Sequence, residues 1–346
     1  MVCEVCLHLR FKYHPTSMQQ EITPEIADRI KLLEKKFHNS GQDMLSYLDG
    51  LLYDDYLTYW DYIRLDTLLS LQVPKTSFPD EMIFITYHQI TELYFKLIIH
   101  EQLQVIENQQ LTAQFFTEKA LRINRYFGVL INSFDVMIKG MEREQFLKYR
   151  MSLLPASGFQ SAQFRMIEFY STDLINLVHP SVRSRFRETC LPDMQGRQTT
   201  NTQELYEHIY WNKGGIDRAT GEKTLTLKQF EKQYTPRFLG IAADMRAANL
   251  NQKYLQLPDS EKTDTLKDAL KVLDQNANVN WLLMHMGAAH RYLRDEGKAI
   301  DATGGTNWKT YLPPSFQKIT FFPTLWSETE HENWGKQWVD HILNTL

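Results

Sequence analysis

The spacing of apolar residues along the chain predicts helices over most of its length. In residues 24–38, Ile26, Ile30, Leu33 and Phe37 recur every three or four positions, so they share one helical face. The same period marks a series of further stretches. The predicted helices span residues 24–38, 59–72, 81–108, 113–139, 143–152, 160–176, 226–252, 260–275 and 279–296. Alternating β-branched runs are scarce, which indicates an all-α fold.

The chain as a whole indicates an N-terminal arm followed by one domain. Residues 1–23 lack clear periodicity, so we predict a mobile N-terminal arm. Residues 24–346 contain no internal repeat or low-complexity tract, so we predict one large helical domain. Residues 212–223 are polar and contain glycine, which is typical of a hairpin or a surface loop.

Composition excludes several classes of protein. The formal net charge of −4 and the pI of about 6.3 lack the basic excess that nucleic-acid binding favours. No apolar run approaches the ~18 residues that span a membrane, and the N-terminus shows no secretory signal pattern. We therefore expect a cytoplasmic protein without a nucleic-acid or membrane partner.

Cysteine usage points to the same compartment. The chain has three cysteines, Cys3, Cys6 and Cys190, too few for a disulfide framework. Cys3 and Cys6 form a CxxC, but no second pair completes a zinc site, so we interpret it as fortuitous. A di-iron site would need two ExxH motifs, and only residues 328–331 fit.

The segment 146–165, FLKYRMSLLPASGFQSAQFR, is the most suggestive of a binding site. Arg150 and Arg165 flank a small-residue turn at 156–158 that follows Pro155. Arginine binds carboxylates through two parallel hydrogen bonds, and small residues let backbone N–H groups approach a ligand. The segment suits a pocket for a flat anionic molecule, with a helix–turn–helix corner carrying solvated arginines as the alternative.

Two predicted helices carry histidines among apolar residues. Phe84 and His88 are four residues apart, so they share a face, and His88 is either a core histidine or a hydrogen-bonding group in a dry pocket. Trp281 and His285 have the same spacing. His290 lies about 140° round the helix from His285, so the two histidines cannot easily face one pocket.

Small residues at 287–289 would admit a flat macrocycle beside His285, as in haem proteins, or a neighbouring helix. The loop at 302–307, ATGGTN, has adjacent glycines whose N–H groups suit a clamp for a charged amino or carboxylate group, or a plain surface turn. Tyr59, Tyr62 and Ile63 form an aromatic stripe, more often core than substrate-binding.

Five of these blocks, in this order, resemble the tryptophan 2,3-dioxygenase family. The blocks are YWDYIRLDTLLSLQ, FITYHQITELYFK, FLKYRMSLLPASGFQSAQFR, the NWLLMH helix and the TGG loop. They extend over about residues 59–310. The resemblance implies a cytoplasmic, all-α homotetramer (a dimer of dimers) that binds haem b. It also implies cleavage of the indole C2–C3 bond of L-tryptophan by O₂ to give N-formyl-L-kynurenine, the first step of the kynurenine pathway.

The resemblance further implies roles on the cofactor side. His285 would be the proximal ligand of the haem iron. Trp281 and Arg165 would lie near the haem and support it. Ser157 and Gly158 would line its distal face.

On the substrate side, the resemblance implies that His88 hydrogen-bonds the indole N–H. Phe84 and Phe146 would wall the indole ring. Arg150 would bind the substrate carboxylate, helped by Thr303 beside the ammonium and carboxylate groups. Because the indole N–H is a very weak acid, His88 is better interpreted as a positioning group than as an essential base.

The remaining implied contacts come from a neighbouring subunit, whose Tyr59, Tyr62 and Ile63 would reach into the pocket. The loop departs from the family pattern, since ATGGTNW stands where GTGGSSG is common. The interval from His285 to Thr303 is also longer than is typical, which makes His290 a rival ligand, although the Trp-x-x-x-His pattern favours His285. Two alternative functions are a related haem-dependent oxygenase that inserts one oxygen atom and a helical haem-binding or scaffold protein without turnover.

Overall fold

The computed structural model describes residues 22–52, 58–153, 160–189, 202–217, 220–295, 298–299 and 312–336. It divides into two compact units, Met1–Leu71 and Gln72–Leu346, and each unit is described by itself. The predicted N-terminal arm at 1–23 lies almost entirely outside the described residues. The single-domain organisation of residues 24–346 stays a prediction.

The first unit contains four described helices. They are α1 (Pro24–Asn39), α2 (Met44–Leu52), α3 (Tyr59–Tyr62) and α4 (Leu65–Leu69). The helix predicted over 59–72 is interrupted because Arg64 adopts a left-handed backbone, with φ of 54°. In the described part of this unit, Tyr59 and Tyr62 are 70% and 76% exposed, so neither side chain is packed in a core within the chain. Their place in a neighbouring subunit's pocket stays a prediction.

The second unit is built on a long central helix. Its helices are α5 (Asp80–Glu107), α6 (Ala113–Ser133), α7 (Asp135–Lys139), α8 (Arg143–Tyr149), α9 (Ala162–Ser171), α10 (Leu174–Leu177), α11 (Pro180–Thr189), α12 (Thr202–Glu207), α13 (Leu225–Asp244), α14 (Leu250–Gln256), α15 (Asp264–Gln275), α16 (Trp281–Tyr292), α17 (Pro314–Gln317) and α18 (Glu328–Glu332). Shorter 3₁₀ turns occupy Arg150–Leu153, Tyr210–Gly215, Met245–Ala247, Asp259–Glu261 and Pro323–Leu325. A π-helical turn, Asn276–Asn280, joins α15 to α16.

The core of this unit forms where α5 packs against α6 and α9. On α5, Phe95, Ile98, Gln102 and Val105 recur at helical spacing and are buried, as periodicity predicts for a helix enclosed by neighbours. The apolar stripe of α6 packs against both α5 and α15. Burial of these stripes supplies most of the driving force for folding.

The all-α prediction is confirmed. In the described residues the strands are limited to a short antiparallel hairpin, β1 (Arg294–Asp295) with β2 (Lys298–Ala299). An isolated antiparallel bridge between Ile216 and Lys223 closes the polar segment at 212–223, which favours the hairpin interpretation. None of the described helices has the length and apolar character needed to cross a membrane.

Several predicted helices are shorter than their periodicity indicated. The helix predicted over 113–139 divides at Phe134 into α6 and α7. The helix predicted over 160–176 divides at Thr172, whose backbone is extended. The helix predicted over 226–252 ends at Asp244 and resumes as α14.

Candidate active site

A cavity of about 470 Å³ lies in the second unit, within the size range of small-molecule sites. Side chains from α5, α8, α9 and α16 form most of its wall. The lining is mainly aromatic and apolar, with two histidines, one arginine and one glutamate. Its members that bear on function are Phe84, His88, Phe134, Phe146, Arg165, Tyr210, Trp281, His285 and Tyr292.

His88 presents a defined hydrogen-bond acceptor to the cavity. Its Nδ1 lies 2.7 Å from the carbonyl oxygen of Phe84, one turn earlier on α5. Since a carbonyl only accepts, Nδ1 carries the proton and donates it. The ring is accessible on its cavity side, yet burial among the surrounding side chains lowers the pKa of His88 below its ordinary value. The imidazole is therefore neutral at pH 7, and Nε2 holds a lone pair.

His285 is fixed in the same way on α16. Its Nδ1 lies 2.9 Å from the carbonyl oxygen of Trp281, so Nδ1 donates and Nε2 has the lone pair. Burial lowers the pKa of His285 to about 4, and the charge of Arg165 acts in the same direction, against the raising effect of the bond to Trp281. A neutral histidine whose second nitrogen is bonded to a backbone carbonyl is the usual form of a metal-ligating histidine.

Aromatic rings hold both histidines in place. The rings of Trp281 and Phe134 lie with their centroids 4.6 and 4.8 Å from that of His285. The ring of Phe84 lies 4.0 Å from His88, and Phe146 stands 6.5 Å from Phe84. These rings form an apolar wall suited to a flat aromatic ligand.

A buried polar triad anchors Arg165 at the cavity wall. The N-cap Ser161 starts α9, and its hydroxyl accepts from the Phe164 N–H at 3.2 Å. One turn into the helix, the Arg165 guanidinium lies 3.0 Å from the Glu168 carboxylate. The Tyr210 hydroxyl donates to the same carboxylate at 2.5 Å and accepts from Arg165 at 3.0 Å. Burial raises the pKa of Glu168 to about 7, against the opposing effects of Arg165 and Tyr210.

Sequence reasoning missed Glu168 and Tyr210. The three-residue interval between Arg165 and Glu168 signals a pair on one helical face. Tyr210 comes from a 3₁₀ turn far along the chain, so no local pattern identifies it.

The cavity brings together six of the residues that the resemblance singled out: Phe84, His88, Phe146, Arg165, Trp281 and His285. Arg150 is buried at the start of the 3₁₀ turn after α8 and is not among the described residues lining the cavity. The lining includes His285 and, among described residues, does not include His290. The roles assigned to individual residues stay predictions.

Six predicted site residues cannot be placed against this cavity. Ser157, Gly158 and Thr303 lie outside the described residues. Ile63 lies half-buried in the first unit, with the exposed Tyr59 and Tyr62. Their contributions stay predictions as well.

The donor set of the cavity fits haem. The His285 Nε2 lone pair is the ligand that haem iron commonly takes in proteins. The aromatic wall suits the flat apolar macrocycle, and Arg165, held by Glu168 and Tyr210, lies at that wall. The cavity volume is sufficient for a cofactor-sized ligand.

Comparison with known proteins identifies the family. A family model described as tryptophan 2,3-dioxygenase matches residues 50–212. The tryptophan 2,3-dioxygenase of Bacillus cereus strain ZK is 38% identical over 281 residues, covering 78% of this chain and 91% of that protein. The enzyme of the same name from Bacillus thuringiensis subsp. konkukian is 38% identical over 285 residues, with the same coverage. That of Bacillus cereus strain ATCC 10987 is 29% identical over 281 residues. The chain belongs to the tryptophan 2,3-dioxygenase family.

Proposed function

We propose that this protein is a haem-dependent tryptophan 2,3-dioxygenase. It cleaves the indole C2–C3 bond of L-tryptophan with O₂ and yields N-formyl-L-kynurenine, the first step of the kynurenine pathway. The observation that carries the proposal is the pair of neutral imidazoles, His88 and His285, that face one aromatic-walled cavity with Nε2 available on each. Family membership supports the same reaction.

The haem would be held by His285, with Trp281 and Arg165 beside it and Ser157 and Gly158 along its distal face. When bound, haem b supplies the oxygen-activating chemistry, which protein side chains lack. Trp281 and Phe134 restrain the imidazole plane through ring contacts at 4.6 and 4.8 Å. The Trp281 carbonyl fixes the tautomer, so the lone pair is already on Nε2 before a metal binds.

His88 holds the substrate by its indole N–H. With Nδ1–H donating to Phe84, Nε2 can only accept, and the indole N–H can only donate. Because burial lowers the pKa of His88, it is a weaker base than an ordinary imidazole. The proton therefore stays on the indole nitrogen, and His88 orients the ring.

Phe84 and Phe146 wall the indole and exclude water from the reacting face. Low local dielectric strengthens any charged contact to the substrate. Arg150 would bind the carboxylate through its two parallel donors, and Thr303 would bind beside the ammonium group. Tyr59, Tyr62 and Ile63 of a neighbouring subunit would complete the pocket in a homotetramer.

The proposal is tested by an optical titration. Purified protein supplied with haem and reduced is mixed with L-tryptophan in air. A Soret band followed by growing N-formylkynurenine absorbance is the expected result. A Soret band without product would favour a related oxygenase, and the absence of a Soret band would refute haem-dependent catalysis.

A further inference from the structure

Asp274, in the last turn of α15, carries a fully buried carboxylate, with 0% exposure. Its Oδ1 accepts from the Phe321 N–H at 2.7 Å and from the Asn278 side-chain amide at 2.8 Å. Its Oδ2 accepts from the Phe322 N–H at 3.1 Å and from the Trp326 indole N–H at 2.9 Å. One side chain thus binds donors from the π-helical turn and from the segment 319–326.

The carboxylate and its four donors depend on one another. The donors compensate for removing the carboxylate from water, and an apolar residue in its place would leave all four buried donors without an acceptor. Burial raises the pKa of Asp274 to about 6, and the four donors act in the opposite direction. The carboxylate is ionised above that pH, when it is the strongest acceptor for the four donors.

The π-helical turn determines which way α16 faces. A π turn contains one more residue than an α turn, so it rotates the following helix by about 100° relative to an uninterrupted α-helix. Trp281 begins α16 directly after Asn280, and His285 follows one turn later. Whether both residues face the cavity therefore depends on this turn.

We infer that Asp274 is a positioning residue for His285. Its carboxylate fastens Asn278 within the π turn to the segment 319–326, of which residues 319–322 are buried, and so fixes the face of α16 that meets the cavity. The effect on haem rests on the proposed function, whereas the effect on α16 itself does not.

Three full-length variants test the inference. Asp274→Asn replaces one acceptor oxygen by an amide donor, so two of the four donors lose their acceptor. Asn278→Ala removes the tie to the π turn and leaves the other three donors in place. Asn280→Ala is the matched control, since Asn280 lies in the same turn and its amide bonds Asn276 at 3.0 Å instead of Asp274.

Two readouts separate positioning from general stability. The first is backbone amide exchange in the haem-free protein. We expect residues 281–289 to exchange at least tenfold faster in Asp274→Asn and Asn278→Ala, with 80–107 unchanged. The second is the haem dissociation constant from Soret titration, together with the Fe–His stretching band of the reduced protein. We expect the dissociation constant to rise at least tenfold and the band to shift in both Asp274→Asn and Asn278→Ala. The dissociation constant of the Asn280→Ala control should stay within twofold of the wild-type value.

The outcomes are decisive in each case. Wild-type exchange over 281–289 and unchanged haem affinity in Asn278→Ala would overturn the inference, and that variant decides alone if Asp274→Asn does not fold. Exchange that rises equally in 80–107 would show that Asp274 only stabilises the fold. Failure of the wild-type protein to bind haem would refute the proposed function, while the exchange measurement would still test the positioning of α16.

Discussion

Replacement of His88 by phenylalanine tests how the candidate site recognises indole. The variant keeps a ring against Phe84 and removes the Nε2 acceptor. In the wild-type protein that acceptor is fixed, because Nδ1–H donates to the Phe84 carbonyl at 2.7 Å. The change therefore removes one neutral hydrogen bond to the substrate.

The expected loss follows from the strength of that bond. A neutral hydrogen bond contributes about 0.5–1.5 kcal/mol net, which corresponds to a two- to tenfold fall in kcat/KM. General base catalysis would contribute about 10²–10⁴-fold instead. The falls in kcat/KM expected for the hydrogen-bonding role and for the general-base role thus differ by at least one order of magnitude.

Steady-state kinetics with L-tryptophan and with its benzothiophene analogue, which has no ring N–H, measure the difference. We expect His88→Phe to lose two- to tenfold on tryptophan and less than twofold on the analogue. His100→Phe, an exposed change on the same helix, serves as the control. A loss of 10²-fold or more on tryptophan, or equal losses on both substrates, would refute the hydrogen-bonding role.

The pH dependence of the wild-type reaction gives an independent check on His88. Burial lowers its pKa below the ordinary value of 6.5, so the neutral form persists as the pH falls from 8 to 6.5. We expect the pH profile of kcat/KM for the wild-type protein to show no titration step near pH 6.5 that is absent from the His88→Phe profile. Such a step would mean that the surrounding side chains do not lower the pKa of His88.

Three further substitutions test the proposed iron ligand, the aromatic wall of the cavity and the proposed contact from a neighbouring subunit. His285→Ala should abolish the Soret band and His290→Ala should retain it, because His285 lines the cavity; the reverse result would reassign the ligand. Phe134→Ala should lower the free energy of unfolding by about 3 kcal/mol in urea denaturation, since the Phe134 side chain is 5% exposed. The control Phe316→Ala should lower it by less than about 0.5 kcal/mol, since the Phe316 side chain is 59% exposed. Tyr62→Ala should reduce turnover without changing the urea midpoint, since its side chain is 76% exposed; a parallel loss of stability would argue against a shared pocket.

The sequence predicted the elements that have strong local periodicity. The helix predicted over 81–108 is Asp80–Glu107, because its buried stripe repeats over many turns. The helix breaks at Arg64 because the φ of that residue is positive, and the residue types around Arg64 do not predict a positive φ. The π-helical turn before Trp281 is a change in backbone hydrogen bonding that the spacing of apolar residues does not encode.

The site was predictable only in part, for a similar reason. Helical spacing placed Phe84 with His88 and Trp281 with His285, but spacing within one helix does not show which helices meet. The resemblance supplied that pairing, and the cavity confirms that the two histidines share it. The contact between Arg165 and Tyr210 is long-range and emerges only from packing.

The isotopic composition of the product tests the proposed dioxygenase activity most directly. Reduced, haem-supplied protein is given L-tryptophan under ¹⁸O₂, and the product is analysed promptly by mass spectrometry. We expect N-formylkynurenine that carries two ¹⁸O atoms, because a dioxygenase transfers both atoms of O₂ to the substrate. A product with a single ¹⁸O atom, or no product from a protein that binds haem, would contradict the assignment of dioxygenase activity.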